Sequence, residues 1–206
     1  MTIRPSALRY VALGDSYTIG TSVSSAERWP IQLVALVPQL NLVANLGVNG
    51  YSSDDLVRFE LPALEDLRPD FVTLLIGVND VVRGVAEAEY RENVDRILVE
   101  LLAGLRPERI VVIATPDHTV TPIGSRFGDP ALQSSMIVRF NEILRGLAAA
   151  RGIAFVPGTF AISQAAGADH SLVAWDGLHP SGAQYALWAA AIRPVVEGLL
   201  LPSGDR

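Results

Sequence analysis

Five short apolar runs, each followed by a longer amphipathic stretch, restrict this chain to very few architectures. The runs lie at residues 10–13, 40–45, 71–76, 110–114 and 153–156. Two of them, Val72-Thr73-Leu74-Leu75-Ile76 and Ile110-Val111-Val112-Ile113-Ala114, are apolar on both faces. Strands covered by helices on both sides have this character. Helical patterns fill 29–37, 53–67, 87–105, 132–150 and 181–200. In the third, Val94, Ile97, Leu98, Leu101, Leu102 and Leu105 keep a helical spacing, with Arg and Glu opposite. Ser53 with Asp54 and Asp55 marks a helix start, and Arg106-Pro107 a helix end. Strand–helix alternation with short connections predicts an α/β fold with a parallel sheet and right-handed crossovers. No linker or internal repeat interrupts it, so one domain over residues 1–206 is expected.

The chain has 206 residues, half of them hydrophobic, enough for one generous core. It has no cysteine, which excludes disulfides, thiolate metal sites and a cysteine nucleophile. Net charge is -6, and all 16 basic residues are arginine, scattered along the chain. Nucleic acid is not expected as a partner, because it calls for a basic stripe. The start, Met1-Thr2-Ile3-Arg4-Pro5, leads into the first strand without an apolar leader. No apolar run reaches the ~20 residues of a membrane span. A cytoplasmic protein is therefore expected. The sequence says nothing about oligomeric state.

Polar residues gather where such a sheet would do chemistry, at the carboxyl ends of its strands. Ser16 follows the first strand. Gly47, Asn49 and Gly50 follow the second, Gly77, Asn79 and Asp80 the third, and Asp117 and His118 the fourth. Near the other end of the chain, Asp176-Gly177-Leu178-His179-Pro180 puts a carboxylate three residues before an imidazole. A serine hydroxyl is a poor nucleophile until a base takes its proton, and the base must be oriented by an acceptor. Ser16, His179 and Asp176 supply those parts. The backbone N–H of Ser16, that of Gly50 and the carboxamide of Asn79 are candidate donors to a developing oxyanion. Each motif also has a plainer reading. Ser16 and Asn79-Asp80 suit helix caps, and Asn49-Gly50 suits a simple turn. His118 lies on the same face, as a substrate-loop residue or a structural one, and His170 reads as a surface histidine. Two longer irregular stretches, 116–130 and 157–175, are loops that either serve the site or only cover the surface.

Four blocks in this order are highly specific together: Gly14-Asp15-Ser16-Tyr17, Asn45-Leu46-Gly47-Val48-Asn49-Gly50, Gly77-Val78-Asn79-Asp80 and the Asp176–His179 block. The chain resembles the SGNH hydrolases, also called GDSL esterases and lipases, from about Tyr10 to Leu200. The resemblance implies a flavodoxin-like three-layer α/β/α sandwich with five parallel strands. It implies Ser16 as nucleophile, with Asp176 and His179 completing a triad. Ser16 N–H, Gly50 N–H and Asn79 would form the oxyanion hole. Aligning Asn45 with the asparagine that opens block two selects Gly50, with Gly47 the alternative. Asp15 and His118 are candidate substrate contacts.

The implied activity is hydrolysis of a small-molecule carboxylic ester through an acyl-serine intermediate, with no metal or organic cofactor. Short loops favour small or medium acyl groups. Val120, Ile123 and Phe127 either line an acyl pocket or anchor their loop. Carbohydrate O-acetyl esterase, lysophospholipase and thioesterase are alternatives within the same fold. A silent binding module is the alternative outside enzymes, since fold alone does not fix function. A nucleotide binder would need a phosphate-cradling glycine motif after the first strand, and neither common form occurs there.

Overall fold

A computed structural model describes residues 7–201. The expected approach of Met1–Pro5 to the first strand lies outside the described residues, as does the far end of the single domain expected over 1–206.

The five runs form one parallel sheet, in the order β2-β1-β3-β4-β5. Its strands are β1 (Leu8–Gly14), β2 (Leu40–Asn45), β3 (Phe71–Leu75), β4 (Ile110–Ile113) and β5 (Ala154–Val156). Alternation along each strand sorts its side chains between two cores. Val11, Leu13, Val72, Leu74, Ile110 and Val112 face one side. There they meet α6 (Glu87–Gly104) through Val94, Ile97, Leu98 and Leu101, and α7 (Pro130–Ala149) through Ile137, Phe140 and Leu144. Tyr10, Ala12, Phe71, Val111 and Ile113 face the other side. Those pack on α2 (Trp29–Leu36) and α9 (Gly182–Leu200), anchored by the fully buried Trp29 and Trp188. Helix layers therefore cover both faces, giving the expected three-layer sandwich.

The order places a switch point between β1 and β3, where the chain leaves in opposite directions and a crevice opens beyond the carboxyl ends. Short helices start at those ends: α1 (Ser16–Ile19) after β1 and α5 (Val78–Val82) after β3.

Two stretches differ from expectation. The helix expected over 53–67 is a broken one. It comprises α3 (Ser53–Asp55), a π turn (Leu56–Glu60), a 3-10 turn (Leu61–Ala63) and α4 (Leu64–Leu67). Its cap is Ser52, which forms a reciprocal capping box with Asp55, rather than Ser53. Ser53 is free for another task because of that shift. The stretch 157–175 is mostly ordered, with α8 (Gly158–Gln164) and two 3-10 turns, Ala165–Gly167 and His170–Leu172. Weak helix formers such as Gly158 and Thr159 hide this helix. Packing against α9 stabilises it instead. No helix among the described residues is long and apolar enough to cross a membrane.

Candidate active site

The turn after β1 is tight. Gly14 has φ +150°, and a Cβ there would lie 2.2 Å from Leu75 O, so no side chain fits. Asp15 follows and accepts from Tyr17 N at 2.9 Å, capping α1 and lifting Ser16 to the crevice. Asp15 itself is fully buried and does not line the crevice. Its carboxyl, expected from the sequence as a candidate substrate contact, holds the turn through Tyr17 N instead of bordering the pocket. Gly47 meets this turn from β2. A Cβ on it would lie 2.6 Å from Ile19 N and 2.7 Å from Asp15 O. Asn45 fastens the junction, donating to Thr18 O at 2.7 Å and accepting from Gly47 N at 3.1 Å. The N–H of Gly47 is thereby occupied.

Gly50 differs. Its φ is +82°, its surroundings are open, and its N–H has no partner among the described residues. Arg83 holds it from behind, donating to Gly50 O at 2.7 Å and to Asp55 and Ser52. Asn79 spends one amide hydrogen on Tyr51 O at 2.9 Å, which fixes its orientation and leaves the second hydrogen of that NH2 group. Asp80 is buried beneath, accepting from Ser53 N and, at 2.5 Å, from Ser53 Oγ.

The last block closes the site. Asp176 Oδ1 accepts from Leu178 N and His179 N, both at 2.9 Å. Its Oδ2 accepts from Ser22 Oγ and from His179 Nδ1, both at 2.6 Å. Burial pushes this carboxyl up, but the bonds from Ser22, His179 and the two backbone N–H groups outweigh it and hold its pKa at about 2. Asp176 is therefore an acceptor, so the proton sits on Nδ1 of His179 and Nε2 is the basic nitrogen. Tyr17 packs edge-on against the imidazole, with ring centroids 5.8 Å apart, and Trp188 backs Tyr17.

These groups border one pocket of about 210 Å³. Ser16, Gly50, Asn79 and His179 form its polar side, and Val78, Val82, Phe127 and Leu178 its apolar side. Among the described residues no hydrogen bond joins Ser16 Oγ to His179 Nε2. Catalytic hydrogen bonds often close only around bound substrate. A larger groove of about 500 Å³ lies elsewhere, bordered by Leu64, Arg68, Glu100 and Leu101, and brings together no nucleophile and base.

His118 also borders the pocket but is buried. Gln133 donates to Phe127 O, which turns its Oε1 towards His118 Nε2 at 2.7 Å. Burial lowers the pKa of this imidazole, against the opposing pull of Gln133 and Asp117. Asp117 does not fold back onto the ring. It binds Thr119, Ser134, Gln164 and Ser163 instead. Of the loop residues, Phe127 reaches the pocket. Val120 packs near Gly167 and Ile123 near Gly177, as anchors. His170 is exposed.

Sequence reasoning missed Ser22, Tyr17 as the support of His179, and Glu60. Ser22 has φ +68°, unusual for a residue with a side chain, and no sequence signal announces that strain. Glu60 is swung inwards by the π turn and accepts from Gly14 N at 2.9 Å. Burial raises its pKa to about 9, the Gly14 bond opposes this and Asp15 adds to it. Burial likewise raises Asp15 to about 8, with Asp80 adding to the shift. Carboxyls raised in this way keep protons that the unfolded chain releases. Their contribution to stability is complete below the ordinary carboxyl range and is lost as pH rises towards about 8 to 9. Glu60→Gln cannot ionise and still offers an oxygen to Gly14. Its melting temperature relative to the parent is expected to climb between about pH 5 and pH 9, each pH unit being worth up to about 1.4 kcal/mol. A difference that stays flat with pH would show that Glu60 ionises normally.

With this geometry in place, comparison with known proteins is direct. The profile of the GDSL-like Lipase/Acylhydrolase family matches residues 12–187. The chain belongs to that family and is a serine ester hydrolase. No curated protein matches it by sequence. Among solved structures it is similar to Axe2-W215I, an acetyl xylan esterase from Geobacillus stearothermophilus. That pair has 20% identity and TM-score 0.73, covering 96% of this chain and 98% of the other. LAE5, an alpha/beta hydrolase enzyme from the metagenome of Lake Arreo, gives 22% identity and TM-score 0.70, with coverage of 95% and 98%. TesA gives 23% and 0.69, covering 93% and 99%. At these identities the likeness speaks for the shared fold.

Proposed function

We propose that residues 1–206 form a single catalytic domain that hydrolyses small or medium acyl esters through an acyl-serine at Ser16. The observation that carries this reading is the 2.6 Å bond from His179 Nδ1 to Asp176, which leaves Nε2 basic on the pocket wall that also bears Ser16. His179 removes the proton of Ser16 as Oγ attacks the ester carbonyl. Ser16 N–H, Gly50 N–H and the remaining amide hydrogen of Asn79 hold the oxyanion. His179 then gives its proton to the departing alcohol, and water, deprotonated by the same imidazole, releases the acid. Gly50 is preferred to Gly47 because the N–H of Gly47 is already bonded.

The pocket volume of about 210 Å³ supports short acyl chains, with Val78, Val82 and Phe127 as their apolar wall. A series of p-nitrophenyl esters tests this. Turnover is expected to peak at short to medium chains and fall beyond, whereas an optimum at long chains would overturn the size assignment. Asn79→Ala is expected to lower kcat roughly 100- to 1,000-fold, the usual cost of one oxyanion donor. A near-neutral effect would move that role elsewhere. The acetyl xylan esterase among the similar structures suggests carbohydrate acetate as one substrate class to include. The cytoplasm is the compartment we propose, and cell fractionation tests it.

A further inference from the structure

A second recess adjoins the catalytic pocket. It has a volume of about 480 Å³ and shares Asn49 with that pocket. Thr21, Ser22, Val48 and Arg28 also line it. Thr21 donates to Asn49, and Ser22 reaches Asp176, so the recess is joined to the catalytic machinery on two sides.

Arg28 is the unusual member. Its Nε is buried and has no hydrogen-bond partner, and its guanidinium forms no ion pair among the described residues. Arg151, another arginine with little exposure, pairs with Asp95. Glu27, its neighbour in sequence, and Asp176, which Ser22 of the recess reaches, are committed elsewhere. Glu27 accepts from Ser24 N and Oγ, and Asp176 from Ser22 and His179. The stem of Arg28 is fixed, because it lies on Gly20, where a Cβ would come within 2.4 Å of Arg28 Cγ. A buried donor of a charged group without an acceptor is costly, and a pre-positioned guanidinium suits a carboxylate.

We propose that this recess is an anion subsite, in which Arg28 binds a carboxylate carried by the alcohol portion of the ester. This rests on the proposed acyl-serine chemistry. The bond from Ser16 Oγ to the acyl carbon forms, the ester C–O bond breaks, and a hydroxy acid departs with the proton from His179. A single guanidinium, in a recess that Ser22 joins to the Asp176 carboxylate, matches a monoanion better than a doubly charged group. The natural substrates are then acyl esters of hydroxy acids, such as acylated acidic sugars.

The probes are 3- and 4-acetoxybenzoate and their neutral methyl esters, with kcat/KM measured for the parent enzyme and for Arg28→Gln. Dividing the acid-to-ester ratio of the parent by that of the variant cancels intrinsic differences between leaving groups. The expected quotient is roughly tenfold or more for at least one isomer, carried by KM and shrinking at high salt. Equal ratios for both isomers, with both substrates hydrolysed, would overturn the anion subsite and leave the esterase reading intact. Failure to hydrolyse any of the four would count against the esterase reading itself. In that case, calorimetric titration with 4-hydroxybenzoate decides the subsite, which requires binding that Arg28→Gln weakens. Should Arg28→Gln not fold, the parent enzyme alone decides, since a preference for the acids that does not respond to salt would overturn the proposal.

Discussion

Replacing Ser16 with alanine is expected to lower turnover of p-nitrophenyl acetate by about a million-fold, with the fold unchanged. The size of the loss follows from the division of labour at the site. Gly50, Asn79 and the main chain of residue 16 would still bind the carbonyl and stabilise charge on it, so some rate above water survives. The covalent step would not. Structural cost is small, because Ser16 Oγ makes no hydrogen bond among the described residues and Asp15 continues to cap α1. Circular dichroism and melting temperature close to the parent, together with lost turnover, would complete the result. Appreciable turnover by Ser16→Ala would place the nucleophile elsewhere.

The second large effect is expected from Asp176→Asn, about 10,000-fold in kcat. The geometry says why so conservative a change should matter. Oδ1 of Asp176 accepts two backbone N–H groups, from Leu178 and His179. An asparagine will keep its carbonyl oxygen there, since an NH2 group facing two donors would be repelled. Its NH2 must then face His179 Nδ1, which becomes an acceptor. The ring proton moves to Nε2, the nitrogen that has to take the proton of Ser16. The same NH2 also meets the Ser22 hydroxyl, which now donates to Asp176 at 2.6 Å. The loss should appear in kcat rather than KM, because none of these atoms needs to touch the bound ester. The carboxylate of the parent stays ionised down to about pH 2, so acidification above that value does not imitate the variant. A variant with near-parental kcat would show that the tautomer of His179 is not set by Asp176.

Much of this site is legible in the sequence because its parts are local. Asp176 and His179 are three residues apart, and the turn that joins them needs only backbone bonds to Asp176. The sheet is legible because doubly apolar runs such as 110–114 have few other uses. What was hidden depends on contacts between remote segments. Asp15 stands beside the nucleophile in sequence, yet burial makes it a cap for α1. Ser22 reaches Asp176 across 154 residues of chain, from a strained backbone position. Glu60 is one more polar residue of the helical stretch 53–67 in the sequence, and only the π turn places it beneath Gly14. Helix α8 is built from weak formers and is held by α9 rather than by its own propensity. Propensity and spacing carry no signal for such tertiary effects.

The reactivity of one hydroxyl is the most direct test of the whole account. A fluorophosphonate forms a stable bond with a serine only where a base activates the oxygen and an oxyanion hole receives the phosphoryl oxygen. Treated enzyme, digested and analysed by mass spectrometry, should carry one phosphonyl group on the peptide containing Ser16, with loss of activity in step. His179→Ala should label far more slowly. Stoichiometric labelling of a different residue, or inactivation that leaves Ser16 unmodified, would contradict the assignment.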